Sequence, residues 1–129
     1  MSRFEAVRER AGQRCEYCQM PASCDPIPFE IDHIIARKHG GATEPGNLAL
    51  SCFSCNVHKG PNLAGLDPLL GGLTRLFHPR EDVWAEHFAW QGPTLLGLTA
   101  VGRTTIAVLV INASHRQALR AALQDEGVW

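Results

Sequence analysis

Two Cys-x-x-Cys pairs, Cys15-Glu-Tyr-Cys18 and Cys52-Phe-Ser-Cys55, stand 33 residues apart and constrain this chain more than any other feature. Four thiolates in two such turns match a tetrahedral structural zinc shell, each pair supplying half of it and the chain between them closing into a loop. A shell of four sulfurs leaves no open position for water, so an ion held there stabilises and does not catalyse. The segment that the pairs enclose is punctuated by Pro21, Pro26, Pro28, Gly40, Gly41, Pro45 and Gly46 and is too short to build a core of its own, which is where a metal staple is needed. Buried or redox-active thiols are the competing reading, and two matched pairs weigh against it. The fifth cysteine, Cys24, reads as a thiol outside the shell that could compete for the metal.

Composition limits the class of protein. A chain of 129 residues fits one domain, 1–129, and 45% hydrophobic with 19% charged residues argues for a folded core over disorder. Twelve Lys and Arg against thirteen Asp and Glu give a formal charge of -1, so any affinity for nucleic acid must come from a local patch. The opening Met1–Cys15 is charged throughout without an apolar signal region, and no later stretch approaches the roughly 18 apolar residues of a membrane span. These features predict a cytoplasmic protein with no membrane partner, and with an odd cysteine count they argue against a disulfide framework.

Local patterns predict a mixed α+β chain. Ser2 and Glu5 have capping-box spacing for a short helix that Gly12 stops, and strands are expected around Phe29–Ile35 and Leu48–Ser51. Gly60–Gly72 keeps its leucines between Gly and Pro and reads as a packed connection. Val83–Trp90 is expected to be a strand with Trp84, Phe88 and Trp90 on one face, pairing through the turn Gln91-Gly92-Pro93 with Thr94–Thr99. Thr99–Asn112 is rich in β-branched residues yet begins on a helix-capping Thr and runs 14 residues, so it leans to helix. Ser114 is expected to cap a last helix through Leu123.

Between the cysteine pairs lie Glu30-Ile-Asp-His-Ile-Ile35, Gly40-Gly41 and Asn47-Leu48, and the second pair runs straight into Asn56-Val-His-Lys-Gly60. Over Cys15–Gly60, a little more than a third of the chain, this series resembles the HNH endonuclease family in its zinc-stapled form. The later stretch from Arg75 to Trp90 and on to Arg103 also resembles an extension found in one bacterial subgroup. The resemblance implies a ββα-metal finger, in which two strands and a helix hold one catalytic divalent cation. In motif register Asp32 would ligate that cation, His33 would be the general base, Asn47 would orient the loop and the His33 ring, and Asn56 would be the second ligand. Asp32 and His33 leave a strand from opposite faces, so they can divide those tasks only near a strand end. A carboxylate and an amide oxygen suit a hard ion such as Mg²⁺ or Mn²⁺.

The sequence departs from the family at two places. Ala36 stands where proline is common, and Asn56 where many members have His, with His58 two residues on. Two helical residues so spaced point about 200° apart, so one ion takes Asn56 or His58, and register favours Asn56. Arg37, Lys38 and Lys59 flank the motif as candidate phosphate contacts, against the plainer reading of a solvated charged face. Glu30 could support the site or simply be exposed, and His39, His78, His87 and His115 have no ligand spacing. The expectation is a metal-dependent HNH nuclease of 1–129, with core motif 15–60 and a C-terminal extension 73–129 of hairpin and helices, hydrolysing DNA. A non-catalytic zinc module that binds nucleic acid, and a metal-dependent RNase or toxin with the same site, are the rival readings.

Overall fold

The computed structural model describes residues 1–129 as five helices and three two-stranded antiparallel sheets. Helix α1, Arg3–Arg10, starts as its sequence dictates, because the Ser2 hydroxyl accepts from the Glu5 N–H and the Glu5 carboxylate accepts from the Ser2 N–H. Its last turn is tied across the chain, since the Arg10 guanidinium donates to the carbonyls of Pro45 and Leu48. Strands β1, Glu30–His33, and β2, Leu48–Ser51, pair with Asp32 opposite Ala49 and His33 opposite Leu48. Helix α2, Phe53–Lys59, follows at once, with the Cys52 sulfur as its N-cap acceptor. These three elements form a ββα unit, and β1 ends at His33, shorter than the expected Phe29–Ile35.

Beyond α2 the chain builds a second half. Strands β3, Ala64–Leu66, and β4, Leu73–Arg75, form a hairpin where a packed connection was expected over Gly60–Gly72, with Leu66 opposite Leu73. Helix α3, Trp84–His87, replaces the first half of the expected strand, and strand β5, Phe88–Gln91, supplies the rest. One helical turn still brings Trp84 to Phe88, with ring centroids 5.1 Å apart, and Trp84 to Trp90, 6.1 Å apart. The aromatic face therefore forms, by a mixture of helical and strand periodicity. Strand β6, Thr94–Gly97, pairs with β5 through a two-residue turn at Gly92 and Pro93.

Helix α4, Ala100–Val108, is capped by the Thr99 hydroxyl as its sequence suggests, but it stops before Asn112 where Val110 takes a positive φ of 49°. Gly102 lets α4 approach the chain before β5, since a Cβ there would lie 2.1 Å from the His87 carbonyl oxygen. Helix α5, Ser114–Asp125, has Ala113 at the capping position, so Ser114 is its first helical residue and not its cap.

The main core crosses both halves. Cys15, Tyr17, Cys18, Met20, Cys52 and Cys55 pack with Leu76, Phe77, Phe88, Leu95, Leu109, Ile111 and Leu123. Phe77 makes edge contacts with Tyr17 and Phe88, at 6.5 and 5.3 Å between centroids. Trp84 Nε1 donates to the Tyr17 carbonyl at 2.8 Å, and Arg80 pairs with Glu16. Cutting the chain after Gly72 strips Leu76, Phe77, Phe88 and Leu95 from this core, so a fragment 1–72 is expected to be insoluble or to unfold at far lower temperature. Limited proteolysis of the whole chain should release no stable piece ending near Gly72, and recovery of a folded 1–72 fragment would refute a shared core.

Candidate active site and metal centre

The four cysteine sulfurs converge as the spacing predicts, all within 4.8 Å of one another and fully enclosed. Cys18 and Cys52 sulfurs are 3.7 Å apart. That is no disulfide, and it is close to the edge of about 3.8 Å that a tetrahedron with zinc–sulfur bonds of about 2.3 Å requires. Each pair also forms a turn in which the second cysteine's N–H donates to the first one's sulfur, Cys18 to Cys15 at 3.5 Å and Cys55 to Cys52 at 3.3 Å. The donor set and its spacing therefore fit a structural zinc. The four thiols act on one another's protons. Burial would raise the Cys15 thiol, but hydrogen bonds from Cys18, Cys52 and Cys55 overcome it and lower it. Cys18 and Cys55 are pushed well up, chiefly by bonding to Cys15, with burial adding to it. Cys24 lies outside the shell, half-buried beside Ser23.

The first cysteine turn is fastened to β2. Glu16 donates its N–H to the Leu50 carbonyl and accepts the Leu50 N–H on its carboxylate, each at 2.8 Å. Between its cysteines Tyr17 is buried, and its hydroxyl donates to Asp32 Oδ2 at 2.6 Å. Burial and the Asp32 carboxylate hold the Tyr17 phenol well above its usual range, so it stays a donor. Nothing in the spacing of the sequence announces this contact.

An open cleft of about 280 Å³ lies on the other side of Asp32, lined by Asp32, His33, Arg37 and Asn56 with Ile31, Ala36, Gly60 and Pro61. Asp32 and His33 are the last two residues of β1. Asp32 carries its carboxylate inward from β1, and the half-buried His33 turns its ring the other way, its Nε2 2.8 Å from the Thr43 hydroxyl. Asn56, on the first turns of α2, reaches the same cleft and has no hydrogen-bond partner for its side-chain amide. His58 does not reach it. Its ring faces a separate cavity of about 420 Å³ with Phe53, Val57 and His115, and its Nδ1 donates to the Ser54 carbonyl at 2.7 Å.

Asn47 acts on the loop and not on the His33 ring. Its amide oxygen accepts the Ile35 N–H at 2.8 Å, and its Nδ2 donates to the carbonyls of Ile35 and Ala42 at 3.0 and 2.9 Å. The loop is drawn so tight that a Cβ on Gly41 would lie 1.7 Å from the Ile35 carbonyl oxygen. Thr43, at the end of that loop, takes the ring-orienting contact that was expected of Asn47.

Lys59 is a correction to the sequence reading. A phosphate contact needs an ammonium at the surface, whereas Lys59 is 2% exposed and its Nζ lies 3.1 Å from Asp32 Oδ2. It also donates to the carbonyls of His33 and Ile34, at 3.2 and 3.0 Å, so it pins the end of β1 to α2. Arg37 lines the cleft from a short 3₁₀ turn, while Lys38 is exposed beyond it, and Glu30 is exposed at the start of β1. Burial raises the Asp32 carboxyl above its usual value, opposed by Lys59 and by the Tyr17 hydroxyl.

The family model for the HNH endonuclease matches residues 15–62, so the resemblance read in the motifs holds over that segment. The ββα unit, the four cysteines and the cleft all fall inside it. No curated protein and no solved structure gives a significant match to the chain.

Two outcomes are expected from these contacts. Replacing Lys59 with Met leaves a buried carboxylate without its cation and should destabilise the fold by about 3–5 kcal/mol, measured by urea unfolding. Metal analysis should find one zinc per chain. Its affinity should fall as pH falls, because binding zinc displaces protons from thiols, of which Cys18 and Cys55 are held in the protonated form. Chelator titrations at two pH values read that slope, and equal affinity at both would contradict it.

Proposed function

We propose that this chain is a metal-dependent endonuclease that hydrolyses phosphodiester bonds in DNA, with His33 as general base. The observation that carries the reading is the shared cleft of Asp32, His33 and Asn56, which unites a carboxylate, an imidazole and an unpartnered amide on a strand end and the helix that follows it. A structural zinc in the four-cysteine shell belongs to the same reading, as does a reducing, cytoplasmic setting for unpaired cysteines. No helix is long and apolar enough to cross a membrane.

Asp32 and Asn56 are the residues that would hold a Mg²⁺ or Mn²⁺ ion, and their two oxygens fit a hard cation that fills its other positions with water and phosphate. Such an ion, when bound, neutralises the scissile phosphate and the leaving oxygen. The fit carries a condition. Lys59 already compensates Asp32, so a divalent ion meets a partly neutralised carboxylate and should bind the free protein weakly. Substrate phosphate would supply the missing ligand charge.

His33 is arranged for one direction of proton transfer. With Nε2–H donating to the Thr43 hydroxyl, Nδ1 is the basic nitrogen, and it has no protein partner. A water at Nδ1 gives up its proton to the ring as it attacks phosphorus. Thr43 fixes the ring plane, and because its hydroxyl can donate as well as accept, the Nε2–H tautomer is the one this reading requires. Asn47 holds the loop that carries Thr43, so it acts on the base through the backbone. Arg37, which lines the cleft, suits a phosphate contact, and the exposed Lys38 beside it in sequence is a second candidate.

A second reading, a zinc module that binds nucleic acid without cutting it, draws on the Asp32–Lys59 pair, since that pair satisfies the carboxylate without a metal. Supercoiled plasmid incubated with and without Mg²⁺ or Mn²⁺ separates the two. Cleavage should require the ion and fall about 10²- to 10⁴-fold in His33→Ala, with binding to plasmid retained. Intact plasmid in every lane, with binding preserved, would favour the second reading, and cleavage of RNA alone would move the activity to RNA. Binding of Mn²⁺, read by calorimetry and not by cleavage, should be lost on acidification at a higher pH than at an ordinary aspartate site, because the raised Asp32 carboxyl takes up its proton earlier.

A further inference from the structure

Helix α5 brings two guanidinium groups to the core that contains the four cysteines. Leu123 is part of that core and Leu119 packs against it, and Arg116 and Arg120 stand one turn apart on the same helix. The two arginines differ in one respect. Arg116 has a carboxylate partner, its Nη2 lying 2.9 Å from Asp25 Oδ2. Arg120 has none.

Arg120 is fully buried. Its Nε donates to the Pro93 carbonyl at 2.8 Å, and its Nη2 to the Ile111 carbonyl at 3.0 Å and Asn112 Oδ1 at 3.2 Å. Nη1 is enclosed with no partner at all. The guanidinium also lies 5.3 Å from the centre of the Trp90 ring. These neutral acceptors satisfy hydrogen bonds but do not cancel a charge, and a buried cation without a counter-charge is strongly unfavourable.

The Trp90 ring that the guanidinium faces packs on the cysteine core, and its Nε1 donates to Oε1 of Gln19, the residue after Cys18. Burial lowers the Arg120 guanidinium and Arg116 adds to that, while the sulfurs of Cys18, Cys55 and Cys52 oppose it. Cys52 and Cys18 also act on Arg116. Four thiolates around one Zn²⁺ leave the centre doubly negative, in a core where charge is poorly screened. We propose that Arg120 is the buried counter-ion of the four-cysteine zinc centre, with Arg116, already paired with Asp25, supplying a smaller share. The proposal rests on the zinc reading. It gives α5, which begins 59 residues after Cys55, a role at the metal: the extension holds the positive charge that the small metal finger lacks.

The test compares the whole chain with Arg120→Met, which keeps bulk and removes charge, and Arg120→Lys, which keeps charge and loses the planar fork. Zinc content is measured first on the unaltered protein. Then zinc affinity is read by chelator competition, and the rate of cysteine alkylation by iodoacetamide is read on the zinc-loaded forms. Arg120→Met should bind zinc about 10- to 100-fold more weakly, the range for partners outside the ligand shell, and its thiolates should alkylate faster. Arg120→Lys should stay within a few-fold on both readouts. If Arg120→Met fails to fold, Arg120→Gln takes its place with the same expectation. Unchanged zinc affinity in the uncharged variant overturns the proposal, and so does an equal loss in Arg120→Lys, which would assign the effect to hydrogen bonds. A parent protein that binds no zinc removes the zinc reading itself and the proposal with it.

Discussion

The convergence of four sulfurs from two distant turns is the constraint on which the rest of the molecule depends. It sets Cys52 at the N-cap of α2 and Cys15 beside β2, so the helix, the strand pair and the first turn meet at one point. Tyr17 rides on the first turn and reaches Asp32, and Lys59 ends the helix and reaches the same carboxylate. The cluster and the cleft are thus mechanically joined. A shift in the cysteine turns would move the donor on one side of Asp32 and the helix on the other.

The Asp32–Lys59–Tyr17 group illustrates how one buried network serves both folding and chemistry. Asp32 is 6% exposed, and burial alone would favour its neutral form. Lys59 and Tyr17 return it toward the charged state, and the two carbonyls that Lys59 also binds hold β1 at its last residue. A nuclease reading needs that carboxylate ionised at the cleft. In that reading the same network would weaken the free protein's hold on a divalent cation, so that ion and phosphate would arrive as joint occupants.

The loop from Ile35 to Asn47 is the least regular part of the finger and the most tightly specified. Asn47 closes it with three hydrogen bonds, and Gly41 passes so close to Ile35 that no side chain fits there. The outcome is the placement of one hydroxyl, Thr43, against one ring nitrogen of His33. A tightly bonded loop holds a ring plane better than a mobile one, because the supporting hydroxyl keeps its place.

By itself the sequence determined whatever depends on local chemistry and fixed spacing. The cysteine pairs, the Ser2 capping box, the Thr99 cap and the strand-end Asp32-His33 step were all legible, because turns, caps and ligand spacing are set within a few residues. The ββα unit was what the resemblance implied, and it lies within the segment 15–62 that the family model matches. Tertiary structure alone decided which side chains meet. It placed Asn56 in the cleft and His58 in another cavity, replaced Asn47 by Thr43 at the imidazole, and turned Lys59 from a surface cation into the buried partner of Asp32. Trp84 became helical yet kept its aromatic neighbours, since packing distance and not backbone period is what the core selects. Arg120 lies outside every motif, and its meaning depends on cysteines 65 or more residues away. Charge acts through space, and no local pattern in the chain records it.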